Sequence, residues 1–217
     1  MKIKILNTSQ ANFNKRLGDH LSLKQRNYEI VEKTVEKILK KIGESGDSGL
    51  RQLIKKYDNT LYKKISNSIV TKKEISHAYS VTPKKIVSNL RKAMHNIKTF
   101  SKQQKLKSWS IKVKGSVLGE KVTPINRLGI YVPGGKASYP STVLMNAVPA
   151  QVAGVRDITM VCPPVSGKLN PLVLIAADLC GVNKIYKFGG AHAIGALAFG
   201  TETVSYTHLT LPTSQYV

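Results

Sequence analysis

The sequence has little cysteine and no long apolar run. Its 217 residues include two cysteines, Cys162 and Cys180, whose spacing fits no metal site. This scarcity favours a reduced, cytoplasmic protein, with a single disulfide as the open alternative. No apolar run reaches the roughly 20 residues that cross a bilayer. The first ten residues also lack the apolar segment of a secretory signal. We therefore expect neither a membrane span nor an export signal.

Acidic residues are scarce relative to basic ones, which gives the chain a formal net charge of +22. Residues 1–115 hold 27 Lys and Arg against 8 Asp and Glu, and residues 116–217 hold 7 against 4. Such an excess is typical of nucleic-acid-binding proteins. However, lysine outnumbers arginine 28 to 6, and the lysines form no single stripe with interleaved aromatics. We therefore predict no nucleic-acid partner and keep a basic nucleic-acid-binding module as the alternative function.

The dinucleotide-binding fingerprint GxGxxG is also absent. Instead, two strand-like segments end in a pair of glycines, Gly134-Gly135 and Gly189-Gly190, and each pair precedes a helix-like segment. Glycine lets the backbone approach a ligand closely, and the start of a helix offers unpaired N–H groups. One such pair is ordinary turn chemistry. Two at equivalent places predict a ligand site beyond the carboxyl ends of parallel strands.

The first 105 residues have the periodicity of helices. Apolar residues recur on one helical face over 23–42, and Gly43 is expected to end this helix. Thr71 with Glu74 three residues later predicts a capping box. Thr82-Pro83 predicts the start of a further long helix, with Thr82 as the N-cap. This part of the chain is therefore expected to be mostly helical.

Beyond this part, the pattern becomes that of strands. Residues 110–117 alternate polar and apolar side chains and residues 121–125 continue the extended character, which predicts a short β hairpin near 110–125, with an edge pair of strands as the alternative. Apolar strands are then predicted at 128–132, 157–162 and 184–188, and helices at 141–153, 169–180 and 191–199. We therefore predict an α/β protein: a mostly helical N-terminal region over 1–126, followed by an incomplete, Rossmann-like parallel βαβαβ half-domain over 127–203.

Several long motifs resemble those of the histidinol dehydrogenase family. They are 46–50 (GDSGL), 55–58 (KKYD), 129–135 (GIYVPGG), 139–147 (YPSTVLMNA), 149–155 (PAQVAGV), 162–164 (CPP), 180–182 (CGV) and 189–203 (GGAHAIGALAFGTET). The motifs occur in the family's order and cover about residues 20–203. Their length makes chance a poor explanation.

The resemblance implies an NAD-dependent, zinc-containing, homodimeric oxidoreductase that converts L-histidinol to L-histidine in histidine biosynthesis. It assigns Tyr131 to the family's NAD-contacting tyrosine. It assigns His192 to the place of a second NAD contact, a glutamine in the family. A histidine cannot present both the donor and the acceptor of an amide. The family's zinc ligands, catalytic glutamate–histidine pair and substrate-binding residues lie beyond this chain. We therefore assign it no catalytic residue and no metal ligand, and expect it to be inactive.

Residues 204–217 depart from the resemblance. They read like a translated transposase-type sequencing adapter. This reading predicts a non-native tail, with an authentic divergent C-terminus as the alternative. The remaining half-domain would be an open sheet of three strands. Such a sheet leaves apolar faces and edges uncovered, so we expect the chain to be poorly stable.

Overall fold

The structure, a computed structural model, describes residues 5–134 and 139–210, and of residues 22–27 and 210 it describes the backbone alone. The helices are α1 (Phe13–Tyr57), α2 (Lys72–Val81), α3 (Lys84–Gln103), α4 (Pro140–Ala153), α5 (Pro171–Leu179) and α6 (Gly190–Phe199). The strands are β1 (Trp109–Val113), β2 (Ser116–Glu120), β3 (Arg127–Tyr131), β4 (Asp157–Val161), β5 (Lys184–Tyr186) and β6 (His208–Thr210). A short 3-10 helix spans Ile65–Ser68.

Strands β3 to β6 form one parallel sheet with the order β5-β4-β3-β6. Strand β3, the first of the four in the chain, therefore lies between β4 and β6. This is the arrangement found in half of a dinucleotide-binding fold, and its order reverses between β3 and β6. The prediction of an α/β fold with a parallel βαβαβ unit is confirmed.

The sheet has four strands, so the expectation of three is wrong. The additional strand, β6, pairs with residues 128–130 of β3. Before it, Val204 is fully buried, and the Thr207 hydroxyl donates to the carbonyl of Leu197 at 3.0 Å. An unpaired strand edge accepts any segment whose backbone and apolar side chains fit it. Residues 204–210 therefore pack on the edge of the sheet whatever their origin. Residues 211–217 lie outside the described residues.

Helices cover both faces of this sheet. On the face that we call the α4–α5 face, alternate strand residues pack against α4 and α5, with α3 against α4 and α2 against α5. These strand residues are Leu128, Ile130, Ile158, Met160 and Ile185. On the opposite face, the α1–α6 face, Tyr131, Val161 and Tyr186 pack with α6 and with α1.

Helix α1 changes direction at Gly46. The prediction that the helix ends at Gly43 is wrong, because the helical backbone continues past it to Gly46. Gly46 has φ 47° and ψ −132°, and a positive φ favours glycine. A Cβ there would also lie 2.6 Å from a carboxylate oxygen of Glu202. That carboxylate accepts a hydrogen bond from the backbone N–H of Asp47 at 2.7 Å, so a distant residue caps the second half of α1.

The two predicted helix starts have different outcomes. The capping box is confirmed: the N–H of Glu74 donates to the Thr71 hydroxyl at 3.3 Å, and Glu74 accepts from the Thr71 N–H at 2.8 Å. The prediction that Thr82 is the N-cap of the following helix is wrong. Pro83 immediately precedes α3, and the Thr82 hydroxyl donates to the carbonyl of Ala78 in α2 at 2.8 Å.

Strands β1 and β2 form an antiparallel hairpin apart from the main sheet. It pairs Trp109 with Glu120 and Val113 with Ser116, and all ten of its residues are exposed. The helices of 1–126 pack directly on those that follow, so the division into two regions stays a prediction. Among the described residues, no helix combines the length and apolar character that a bilayer crossing needs.

Candidate functional site

The segments that follow β3, β4 and β5 converge on Pro163. A Cβ on Gly134 would collide with the Pro163 carbonyl oxygen, and one on Gly189 would lie 2.5 Å from the Pro163 Cβ. Glycine at these two positions therefore lets the strand ends pack against one another. Close packing therefore explains glycine at these two positions, in addition to the predicted close approach of a ligand. Gly135 lies outside the described residues.

Tyr131, the last residue of β3, reaches the start of α6. Its hydroxyl oxygen accepts a hydrogen bond from the backbone N–H of Gly190 at 3.3 Å. Burial raises the pKa of the Tyr131 phenol, and the hydrogen bond from Gly190 acts in the opposite direction. The hydroxyl therefore keeps its proton at neutral pH. Tyr131 is half-buried and Gly190 is exposed.

His192 lies in the first turn of α6 and is only 1% exposed. Its Nε2 is 3.0 Å from Oδ2 of Asp58. The ring stacks with Tyr57 at a centroid distance of 6.0 Å and with Phe188 at 6.5 Å. The same Asp58 oxygen accepts the backbone N–H of Gly189 at 3.1 Å. This places a carboxylate at the N-terminus of α6, where the helix dipole favours negative charge.

The structure brings the two predicted site residues to the same turn. Tyr131 bonds to the Gly190 N–H, and a Cβ on Gly190 would lie 3.3 Å from Nδ1 of His192. Asp58 is the residue of this cluster that the sequence interpretation misses. Its only signal was its place in the family-like segment 55–58.

A cleft of about 320 Å³ opens at the ends of β3 and β4. Its walls include Gly134, Cys162, Pro163 and Lys168, but neither Tyr131 nor His192. This volume is at the lower end of the range for small-molecule sites. Lys168 supplies a cation, whereas burial raises the pKa of the Cys162 thiol to about 12 and leaves it unreactive at neutral pH.

The described residues do not fit a zinc site. Over 5–134 and 139–210, no three His, Cys, Asp or Glu side chains lie together in a way that could hold a metal ion. Protein zinc sites use three or four such ligands. The described residues therefore provide no set of ligands for a zinc ion.

Known proteins similar to this chain share one family. The family model described as histidinol dehydrogenase matches residues 21–217. The chain is 40% identical over 203 residues to the histidinol dehydrogenase of Neisseria gonorrhoeae, covering 93% of this chain and 47% of that protein. It is 48% identical over 189 residues to the histidinol dehydrogenase of Clostridium acetobutylicum. This match covers 84% of this chain and 43% of that protein.

A solved structure is similar to the chain as well. The crystal structure of histidinol dehydrogenase from Elizabethkingia anophelis matches with a TM-score of 0.78 at 36% identity. The match covers 86% of this chain and 43% of that chain. The chain thus spans about half the length of the relatives that it matches.

Proposed function

The chain belongs to the histidinol dehydrogenase family, and on that premise we propose that it supplies part of the NAD site of an enzyme that oxidises L-histidinol to L-histidine. The observation that carries the proposal is the hydrogen bond between Tyr131 and Gly190 at the carboxyl ends of a parallel sheet. Ligands of such sheets bind beyond these strand ends. The comparisons do not support the nucleic-acid-binding alternative.

The residues at this edge suit a dinucleotide. Tyr131 has a proton to donate, Gly190 begins a helix of ten residues, and Lys168 offers a positive charge in the adjoining cleft. Bound NAD would supply the hydride acceptor. We place Tyr131 in contact with NAD, and we place His192 beneath the turn that carries Gly190. In this arrangement, His192 contributes to the NAD site by supporting the backbone of that turn.

The other family properties are part of the same proposal. We place the zinc ligands and the catalytic residues outside these 217 residues, because the described side chains form no metal site and the relatives are about twice as long. The full-length enzyme would be a cytoplasmic homodimer without a nucleic-acid partner. The chain alone would form no NADH from L-histidinol. Detectable NADH formation by the purified chain would overturn this placement of the catalytic groups.

NAD binding to the purified chain tests the proposed site. We expect equilibrium dialysis to show binding, and we expect Tyr131→Phe to weaken it about 3–10-fold, because the variant loses one hydrogen bond. Tyr28→Phe is the matched control, since Tyr28 is exposed on α1. Absence of binding to the unmodified chain, or equal loss in both variants, would overturn the proposal.

The proposed non-native origin of residues 204–217 has a direct test. Genomic DNA downstream of codon 203 is expected to continue into a family-like sequence that differs from residues 204–217 of this chain. A genomic read that encodes residues 204–217 as they stand would refute the adapter reading and make β6 a native strand.

A further inference from the structure

Asp58 connects the end of α1 to the start of α6. It immediately follows α1, and a single carboxylate oxygen accepts from the Gly189 N–H and from His192. These two partners are 131 and 134 residues further along the chain. Hydrogen bonds to an ionised acceptor are roughly twice as strong as neutral ones. The start of α6 is therefore held by a residue outside the parallel sheet.

This contact determines that Nε2 of His192 carries a proton. A carboxylate only accepts hydrogen bonds, so Nε2 of His192 donates to Asp58. The stacking of Tyr57 and Phe188 holds the ring plane. A glutamine at position 192 has its amide nitrogen the same number of bonds from Cα as Nε2. It is therefore able to make the same donation to Asp58.

We propose that Asp58 is a positioning residue of the NAD site, acting through the His192 ring and the Gly189 amide. By holding both groups, it keeps the Gly190 N–H directed at the Tyr131 hydroxyl, where the ligand is expected to bind. The inference rests on the proposed function for its effect on NAD, but the arrangement of Asp58, His192 and Gly189 is tested separately.

Nuclear magnetic resonance of the 217-residue chain labelled uniformly with ¹⁵N tests the arrangement itself. We expect the His192 signal, identified by its loss in His192→Gln, to show a proton on Nε2. We expect Asp58→Asn to raise the amide hydrogen-exchange rate of Gly189 about tenfold, because a neutral acceptor is weaker. Asp178→Asn is the matched control, since Asp178 accepts from Tyr79 on α2. A proton on Nδ1 instead, or an unchanged Gly189 rate, would overturn the inference.

NAD affinity tests the consequence. We expect Asp58→Asn to weaken binding about 3–10-fold and Asp58→Ala by more than about tenfold. Asp178→Asn, the control of the exchange experiment, should remain within about threefold of the unmodified chain, because Asp178 bonds to Tyr79 and not to the start of α6. If the unmodified chain binds NAD and Asp58→Asn binds it equally well, the positioning role is refuted. If the unmodified chain does not bind NAD, the proposed function fails and the exchange experiment alone decides the role of Asp58.

Discussion

The two faces of the parallel sheet are held by different interactions. On the α4–α5 face, the strands meet neighbouring helices through a continuous set of buried apolar side chains. On the α1–α6 face, apolar packing is joined by polar contacts between distant parts of the chain, made by Asp47, Asp58 and Tyr62. The first face therefore obtains most of its stability from close packing, and its long-range polar contacts, such as Tyr79 with Asp178, involve the outer helix α2. The second also depends on hydrogen bonds that fix particular residues in place, and the proposed ligand site lies on that side.

The largest expected effect is on the α4–α5 face. Met160 is fully buried in the middle of β4, so Met160→Ala should lower the free energy of unfolding by about 2–5 kcal/mol through lost transfer energy and a cavity. Urea denaturation measures the change. Met145→Ala on α4 is the matched control, because Met145 is 60% exposed and should change stability by less than about 0.5 kcal/mol. Equal effects of the two variants would show that this face is not tightly packed.

On the α1–α6 face, the largest effect is expected at Asp47. Its carboxylate accepts from the Thr201 hydroxyl at 2.6 Å and from the N–H and hydroxyl of Thr203. Asp47→Ala should therefore lower the free energy of unfolding by about 2 kcal/mol, measured by urea denaturation. The control is Glu44→Ala, which removes an exposed ion pair with Lys40 and should cost about 0–0.5 kcal/mol. A cost of Asp47→Ala as small as that of the control would remove the distinction between the faces.

The ion pair between Glu74 and Lys187 tests how much a charged contact adds to the packing of the sheet and its helices. Burial acts to raise the pKa of Glu74, but hydrogen bonds from Lys187 and Thr71 outweigh burial and lower it. Glu74→Gln should cost about 1 kcal/mol at pH 7, a modest value because the side chain is 35% exposed. A lowered pKa stabilises the fold above pH 4.5, the ordinary value, and this stabilisation is lost as the pH falls below it. Urea denaturation at pH 7 and pH 3 should show the difference between variant and parent becoming smaller; a difference that is as large at pH 3 as at pH 7 would contradict this assignment.

An effect of similar size is expected from Tyr62, which packs on the α1–α6 face and donates its hydroxyl to the Lys187 carbonyl at 2.9 Å. Tyr62→Phe keeps the ring and removes this bond, so thermal denaturation should show a loss of about 0.5–1.5 kcal/mol. Tyr28→Phe should show none, because Tyr28 is exposed. A neutral result for Tyr62→Phe would mean that apolar packing alone holds this part of the face.

Local features were predictable from the sequence, and long-range partners were not. The Thr71–Glu74 capping box involves residues three positions apart, so its residue pattern is visible in the sequence. The three predicted strands agree with β3, β4 and β5 within two residues, because buried strands are short apolar runs. The end of the first helix was predicted at Gly43, three residues before the bend at Gly46. The partner that caps the segment after this bend, Glu202, lies more than 150 residues away and leaves no local pattern.

The candidate site shows the same division. Tyr131 and the Gly189-Gly190 pair were recognisable from strand ends and family motifs. Their meeting in space requires the sheet order that places β3 two strands from β5. Asp58 carries no local pattern that marks it as part of a site, and it acquires its role only when α1 packs on α6.

The amino-acid order alone was sufficient for the helical and strand periods, the glycine-terminated strands and membership of the family, because these depend on side chains close together in the chain. Folding in three dimensions was needed to pair Asp58 with His192, to bring Gly134 and Gly189 against Pro163, and to add residues 208–210 to the sheet edge. The reason is physical. A buried hydrogen bond or a close backbone contact between segments more than 20 residues apart exists only after the intervening chain has packed, and local periodicity contains no record of which distant group will supply the partner.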